Sequence, residues 1–385
     1  MAEIEIGLGK TARRGFGLDE LTIVPSRRTR DPELVDLSWE LQGFRFELPV
    51  LAAPCDSVVS PANAGAIDAM GGVAVLDLEG LWTRYDDPTP VLAEIAELDD
   101  DVAAARLQEI YKQPVDPDLI VSRVHAIRES GAVAAGSVTP HRIEELLPKV
   151  LESELDLLVI RSTVVSAEHV TKVGDDQVEP LNLKTFIRQL DIPVLVGSCT
   201  SYQAALHLMR TGAAGILVGV GTTTGATTAD TFGVGVPLAT AIADARAARM
   251  RHLDETGVYV HLIADGGMDT GGDVAKALAC GADAVMLGSP LAGATDAPGH
   301  GAHWAPVAAR ADVPHSARVR VPQRGTQREV LLGPSDSSDG RLDLMGSLRA
   351  AMASSGFESL KDFQKAEMMI VPAPAGPRGS GESGL

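Results

Sequence analysis

Eight short apolar, β-rich runs alternate with helix-like stretches along this chain, and that alternation confines it to an α/β architecture built on parallel strands. The runs are PVLAAP (49–54), VAVLDL (73–78), VAAGSV (133–138), DLLVIRS (156–162), PVLVGS (193–198), AGILVGV (214–220), HLIADGG (261–267) and AVMLGS (284–289). Between them, PANAGAIDAM, HRIEELLPKVLES, SYQAALHLMRTG, PLATAIADARAARM and GDVAKALACG carry apolar residues at helical spacing, several with glycine near the C-terminal end. Eight β and α units over about 250 residues predict a closed (β/α)8 TIM barrel rather than an open doubly wound sheet. Such a barrel puts the C-terminal end of every strand on one face, where the active sites of that fold lie.

The last three strand ends all open into small-residue turns. After the sixth run, Gly219, Gly221, Gly225, Gly233 and Gly235 let the backbone approach a ligand, while Thr222, Thr223, Thr224, Thr227 and Thr228 offer hydroxyl donors to phosphate oxygens. The seventh ends on Gly266 and Gly267, the eighth on Gly288 and Ser289. Phosphate sites in barrels frequently use the loops after the final strands, so the fold and the phosphate readings support each other. The Gly/Thr loop itself contains no nucleophile. Residues 300–340, rich in Pro, His, Arg and Gly, read as a flap from which His300 or His303 could supply a base. Residues 342–357 read as a closing helix and 371–385 as a disordered tail, which makes 1–370 a single barrel domain.

Composition narrows the partners. A chain of 385 residues, 45% hydrophobic and 22% charged, can bury a sizeable core. A formal charge of −19 disfavours nucleic acid and anionic membranes, so an anionic ligand must be held by local donors. No apolar run approaches the ~20 residues of a membrane helix, and the N-terminal stretch lacks a signal-peptide core, so a cytoplasmic location is expected. Cys55, Cys199 and Cys280 are widely spaced and read as reduced thiols rather than a disulfide framework or metal cluster.

The order GFGLDELTIVPS (15–26), PVLAAPCDSVVS (49–60), GVGTTTGATT followed by GVGVP (219–237), and IADGGMDTGGDVAKALACGADAVMLGSPLAG (263–293) resembles the IMP dehydrogenase/GMP reductase family, in particular its IMP-dehydrogenase-related branch. The resemblance covers most of residues 15–365. It implies a (β/α)8 barrel, often tetrameric, that binds a purine nucleoside monophosphate (IMP, XMP or GMP) and NAD or NADP at the C-terminal face. It also admits a monovalent cation at the 219–226 loop. Dehydrogenases of the family usually carry a pair of CBS modules between the second and third strands. Only residues 79–132 fill that interval here, so a bare barrel is expected.

Carried over residue by residue, the resemblance makes Asp265 the carboxylate for the ribose hydroxyls. Gly266, Gly267, Gly288, Ser289, Thr224 and Gly225 become the phosphate surroundings, and Cys55 lies against the base. Thr228 matches a loop threonine placed among the catalytic positions. Gly219, Gly221 and Arg161 fall on the cofactor side, Arg161 standing where the family has an aspartate against the nicotinamide ribose. Ala226 stands at the family's nucleophilic cysteine, and a methyl group cannot attack a purine carbon. No Arg-Tyr pair that would activate water occurs in 300–340. Two functions from different classes are therefore expected. One is an IMP-dehydrogenase-type oxidoreductase (IMP to XMP, with GMP to IMP as the alternative) with an altered catalytic loop. The other is a catalytically silent nucleotide sensor or partner subunit.

Overall fold

All eight apolar runs form the strands of one closed parallel ring. The computed structural model describes residues 3–169, 172–173, 176–177, 181–222, 224–225, 228–305 and 317–372. The barrel strands are β1 Val50–Ala52, β2 Val73–Asp77, β3 Ala135–Val138, β4 Leu157–Arg161, β5 Val194–Cys199, β6 Gly215–Val218, β7 His261–Asp265 and β8 Ala284–Leu287. The ring closes where β8 meets β1, with Val285 against Val50, Met286 against Leu51 and Leu287 against Ala52. Almost every strand residue is buried, as expected for strands covered by side chains inside and helices outside.

Each strand is followed by a helix of the outer ring, with further helices added in some of the loops: α1 Pro61–Ala69, α2 Pro117–Glu129, α3 Ile143–Glu152, α4 Leu183–Ile187, α5 Tyr202–Met209, α6 Leu238–Thr256, α7 Gly271–Cys280 and α8 Leu344–Ser354. Their ends follow local chemistry. The Ser60 and Thr270 hydroxyls accept the third amides of α1 and α7, and Asn63 and Asp273 reach back in reciprocal capping boxes. α6 stops at Gly257, whose left-handed backbone lets its amide reach the Leu253 carbonyl at 2.8 Å. The hairpin of Trp39–Leu41 and Phe44–Phe46 covers the opposite, N-terminal end of the ring, with the Trp39 ring 5.7 Å from His261 at the start of β7.

The interval between β2 and β3 holds helices Thr89–Glu97 and Asp100–Ile110 followed by α2, with no inserted module. Leu81, Leu92, Ile95, Leu107 and Ile110 form a small separate core there, joined by Ala302 and Trp304 from the flap. The described part of residues 300–340 is more regular than an irregular excursion. Ala302–His303 pairs antiparallel with Val319–Arg320, and a short helix spans Gln327–Leu332. Met368–Ile370 pairs with Leu21–Ile23, and the Val371 amide continues that contact to the Glu20 carbonyl at 2.8 Å. The expected tail from 373 onward lies outside the described residues.

One glycine couples β6 to β7. Gly219 has φ +149°, and a Cβ there would lie 2.2 Å from the carbonyl oxygen of Asp265. Gly219→Ala should lower the unfolding free energy by about 3 kcal/mol, because steric overlap and left-handed strain add. Gly9→Ala, at φ +73° in open space, should cost only about 1 kcal/mol. Denaturant midpoints at constant slope would check this, and equal losses would show that the close approach carries no cost.

Candidate functional site

The C-terminal ends of β1, β4, β7 and β8 converge on one small cavity. Cys55, Arg161, Asp265, Gly266, Gly267, Gly288 and Ser289 line it, with Thr224 from the loop after β6 and His303 from the flap. A water centre can occupy only about 20 Å³ of it, room for about one water molecule.

An ion pair accounts for the narrowness. Arg161 donates from Nε to Asp265 Oδ2 at 3.1 Å and from Nη2 to Oδ1 at 3.4 Å, and the Ser198 hydroxyl donates to Oδ2 at 3.2 Å. Asp265 is only 3% exposed. Burial is the largest single influence and works against the charge on Arg161, but the attractions of Asp265, Cys55 and Asp77 together outweigh it and the guanidinium pKa is raised. Separating such a buried pair is costly unless each partner finds another. A ribose diol can therefore reach Asp265 only by displacing the Arg161 fork.

The turn after Asp265 runs through two left-handed glycines, Gly266 at φ +84° and Gly267 at φ +70°. Among the described residues, the amides of Gly266, Gly267 and Gly288 donate to no main-chain carbonyl outside the sheet and helix ladders. They are the donors an anion would take there. The Thr222 hydroxyl ties the loop to the Asp265 carbonyl at 2.9 Å, and Gly225 accepts the flap amide of Ala317 at 3.1 Å. Thr224 thus faces the cavity from a loop pinned on both sides. Thr228 is buried beneath the loop and does not line the cavity. Thr223, Ala226 and Thr227 lie outside the described residues, so the expected catalytic position and much of the proposed cation loop do as well.

The cofactor side differs in layout from the expectation. Arg161 points into the cavity at the strand ends, Gly219 abuts the Asp265 backbone, and Gly221 packs near Thr228. Among the described residues, the only carboxylate lining the cavity is Asp265, already engaged. Arg161, Gly219 and Gly221 do not converge on a site of their own among the described residues.

No described thiol is activated. Burial pushes Cys55, Cys199 and Cys280 each up to about 12, with Arg161 only partly opposing it at Cys55. At neutral pH all three are thiols, which are poor nucleophiles.

Several groups at the mouth carried no sequence signal of their own. His303, named only as one of two flap histidines, is 3% exposed, with Nδ1 2.9 Å from the Ser57 hydroxyl and Nε2 facing Gly288. Burial first, and Arg161 second, lower its pKa to about 4, so it is a neutral imidazole. Asp56 accepts the Leu81 amide at 2.8 Å and a very short hydrogen bond from the Tyr111 hydroxyl. Trp304 in turn donates to Tyr111 at 2.9 Å, tying the flap to the loop after β1. Burial raises Asp56 to about 6, and it raises Asp77, at the end of β2, well above the carboxylate range with Asp56 as the next cause. Only their positions at strand ends could have marked these residues. Ser198 was visible as the last residue of an apolar run but had no reason to be linked to Asp265.

The domain description "IMP dehydrogenase / GMP reductase domain" matches residues 15–307. An uncharacterized oxidoreductase of Mycolicibacterium smegmatis is 47% identical over 376 residues, spanning 95% of this chain and 99% of that protein. An inosine-5′-monophosphate dehydrogenase of Methanocaldococcus jannaschii is 24% identical over 95% of this chain and 94% of its own length. Among solved structures, an IMP dehydrogenase/GMP reductase-like protein from Corynebacterium glutamicum superposes with a TM-score of 0.90 at 42% identity. It covers 96% of this chain and 97% of its own.

The folded pKa of His303 lies below its unfolded value of 6.5. Its contribution to stability is therefore complete above that value and is lost as pH falls toward 4. Wild type should lose about 2 kcal/mol of its advantage over His303→Gln between pH 7.5 and pH 5; a constant difference would mean that the imidazole is not held neutral. Iodoacetamide at pH 8 should leave Cys55 and Cys199 unmodified in the native protein while a small free thiol reacts fully, as mass spectrometry of the digested protein would show.

Proposed function

The chain belongs to the IMP dehydrogenase/GMP reductase family, and from that premise we propose that it binds a purine nucleoside monophosphate in the cavity at the strand ends. On this reading it is an oxidoreductase of IMP dehydrogenase type (IMP to XMP) working with NAD or NADP. The observation that carries the proposal is the convergence of Asp265, the Gly266–Gly267 turn and the Gly288–Ser289 turn on one cavity. A buried carboxylate suits a pair of ribose hydroxyls, and unpaired glycine amides suit a phosphate.

Binding would proceed by exchange. The ribose diol takes the Asp265 oxygens, Arg161 moves off the carboxylate, and the vacated space admits the sugar. Arg161 stays within reach of the ligand as a buried cation, and neutral His303 offers Nε2 as donor or acceptor without adding charge. A nicotinamide dinucleotide would supply the hydride acceptor or donor.

A second reading, a nucleotide sensor or partner subunit without turnover, is favoured by one specific observation: every described thiol is protonated at neutral pH, and Ala226 stands at the family's cysteine. Both readings require the same binding site.

Calorimetric titration should show saturable binding of IMP or GMP, and Asp265→Asn should weaken it by about tenfold to a hundredfold, the range for a hydrogen bond to a charged group. Unchanged affinity in the variant would overturn the site. Reduced-nicotinamide absorbance then separates the two readings: turnover that persists in Cys55→Ala and Cys199→Ala supports the oxidoreductase. Binding without turnover in the wild type, with turnover appearing in Ala226→Cys, supports the sensor built on a competent barrel.

A further inference from the structure

Across Ser289 from the cavity lies a second, wider cleft that shares Thr224, Ser289 and Pro290 as a common wall. Water centres can occupy about 160 Å³ there, against about 20 Å³ in the first cavity. Among the described residues, its rim carries Arg320, Arg324 and Arg341 against a single lining carboxylate, Asp269. In a chain of formal charge −19 this is a local excess of positive charge.

The three guanidinium groups are differently committed. Arg320 donates to the Ala96 and Leu98 carbonyls at 3.1 and 2.9 Å, so its position is fixed by neutral partners and its charge is left uncompensated. Arg324 is hydrogen-bonded to Asp339, which stands outside the cleft wall. Arg341 approaches Asp269 at 3.7 Å and Asp339 at 4.0 Å, ion-pair distances too long for hydrogen bonds. Two arginines thus converge on one carboxylate at a half-exposed rim, and the Ser289 hydroxyl donates to Asp269 at 3.0 Å. A phosphate group presents more acceptor oxygens than a carboxylate and can engage both forks at once.

We propose that this cleft is a second anion site, which takes the next phosphate of a purine nucleoside 5′-diphosphate or triphosphate whose first phosphate lies at the Gly266–Gly267 and Gly288–Ser289 turns. The proposal rests on the nucleotide reading given above and extends it from a monophosphate to a pyrophosphate-bearing ligand. The shared wall is the argument for a linked group rather than a separate ion: a phosphate held against Ser289 has the arginine cleft directly beside it. A dinucleotide also carries a pyrophosphate, and the test below separates the two sources.

The experiment is titration calorimetry of the full chain with GMP, GDP, inorganic pyrophosphate and NAD⁺, repeated with the double variant Arg324→Gln/Arg341→Gln. Thermal melting confirms that the variant folds; both arginines sit at an exposed rim, where ion pairs add little to stability. GDP should bind wild type about tenfold more tightly than GMP, as expected for one added charge-assisted contact. In the variant that advantage should vanish while GMP affinity stays within about twofold. Equal affinity for GDP and GMP in the wild type, or an advantage that survives in the variant, would overturn the proposal. So would a loss confined to NAD⁺, which would assign the cleft to the dinucleotide. If GMP fails to bind, the monophosphate reading falls, and inorganic pyrophosphate still decides the cleft: saturable binding abolished by the variant supports an anion site, and no binding rejects it.

Discussion

The pairing of β8 with β1 is the contact on which the rest depends. It joins residues more than two hundred positions apart in sequence and turns an open sheet into a ring without edges. Closure brings the ends of all eight strands to one mouth, so Cys55, Arg161, Ser198 and Asp265 can meet although no short sequence window contains any two of the last three. It also explains why the strands can be short: each is covered by its neighbours, by the barrel interior and by a helix, and burial rather than length stabilises it.

At the mouth, Arg161 is the group that sets the electrostatics. It pairs with Asp265, lowers the pKa of His303, and partly opposes the rise in Cys55. Asp56 and Asp77 lie close enough to perturb the same thiol and hold raised pKa values in a dry setting. Both carboxyls bind a proton more readily than exposed ones, while Arg161 and Asp265 face each other as a buried cation and anion. Such a pair adds little net stability over an apolar alternative, yet it forms a definite gate, since either partner can move only when a ligand replaces the other. On the proposed reading, nucleotide affinity is the difference between what the ribose and phosphate gain and what the Arg161 fork gives up.

The ring was legible because its signal is redundant. Eight apolar runs, each followed by a helical pattern, repeat one message, and an error in any single boundary leaves the count intact. The three glycine turns were legible for a related reason, since glycine at a strand end has few structural alternatives to a turn or a close approach, and Gly219 against the Asp265 carbonyl is such an approach. The pairing of Arg161 with Asp265 was not legible, because side-chain direction across a barrel depends on the register of three intervening parallel contacts. Arg161 was instead assigned to the cofactor side by position alone. The 79–132 interval was read only as too short for a module pair. Its actual role, a helical platform that anchors the flap through Tyr111, Trp304 and Arg318, arises from contacts hundreds of residues apart.

That platform bears on how an acidic protein receives an anionic ligand. At physiological ionic strength the field of the distant carboxylates is screened within about 8 Å, so approach is governed by the charges at the mouth. Arg318 and Arg320 hold the returning flap strand to the Leu98 carbonyl, and Arg318 also pairs with Asp100. The same strand therefore carries cations to the edge of the cleft and is fastened by them. Arg324 and Arg341 extend the row, and Arg161 ends it inside the barrel. On the proposed reading, the arginines of the flap strand and the cleft, rather than the overall charge of the chain, select for phosphate, and Asp265 is the buried carboxylate that Arg161 must release.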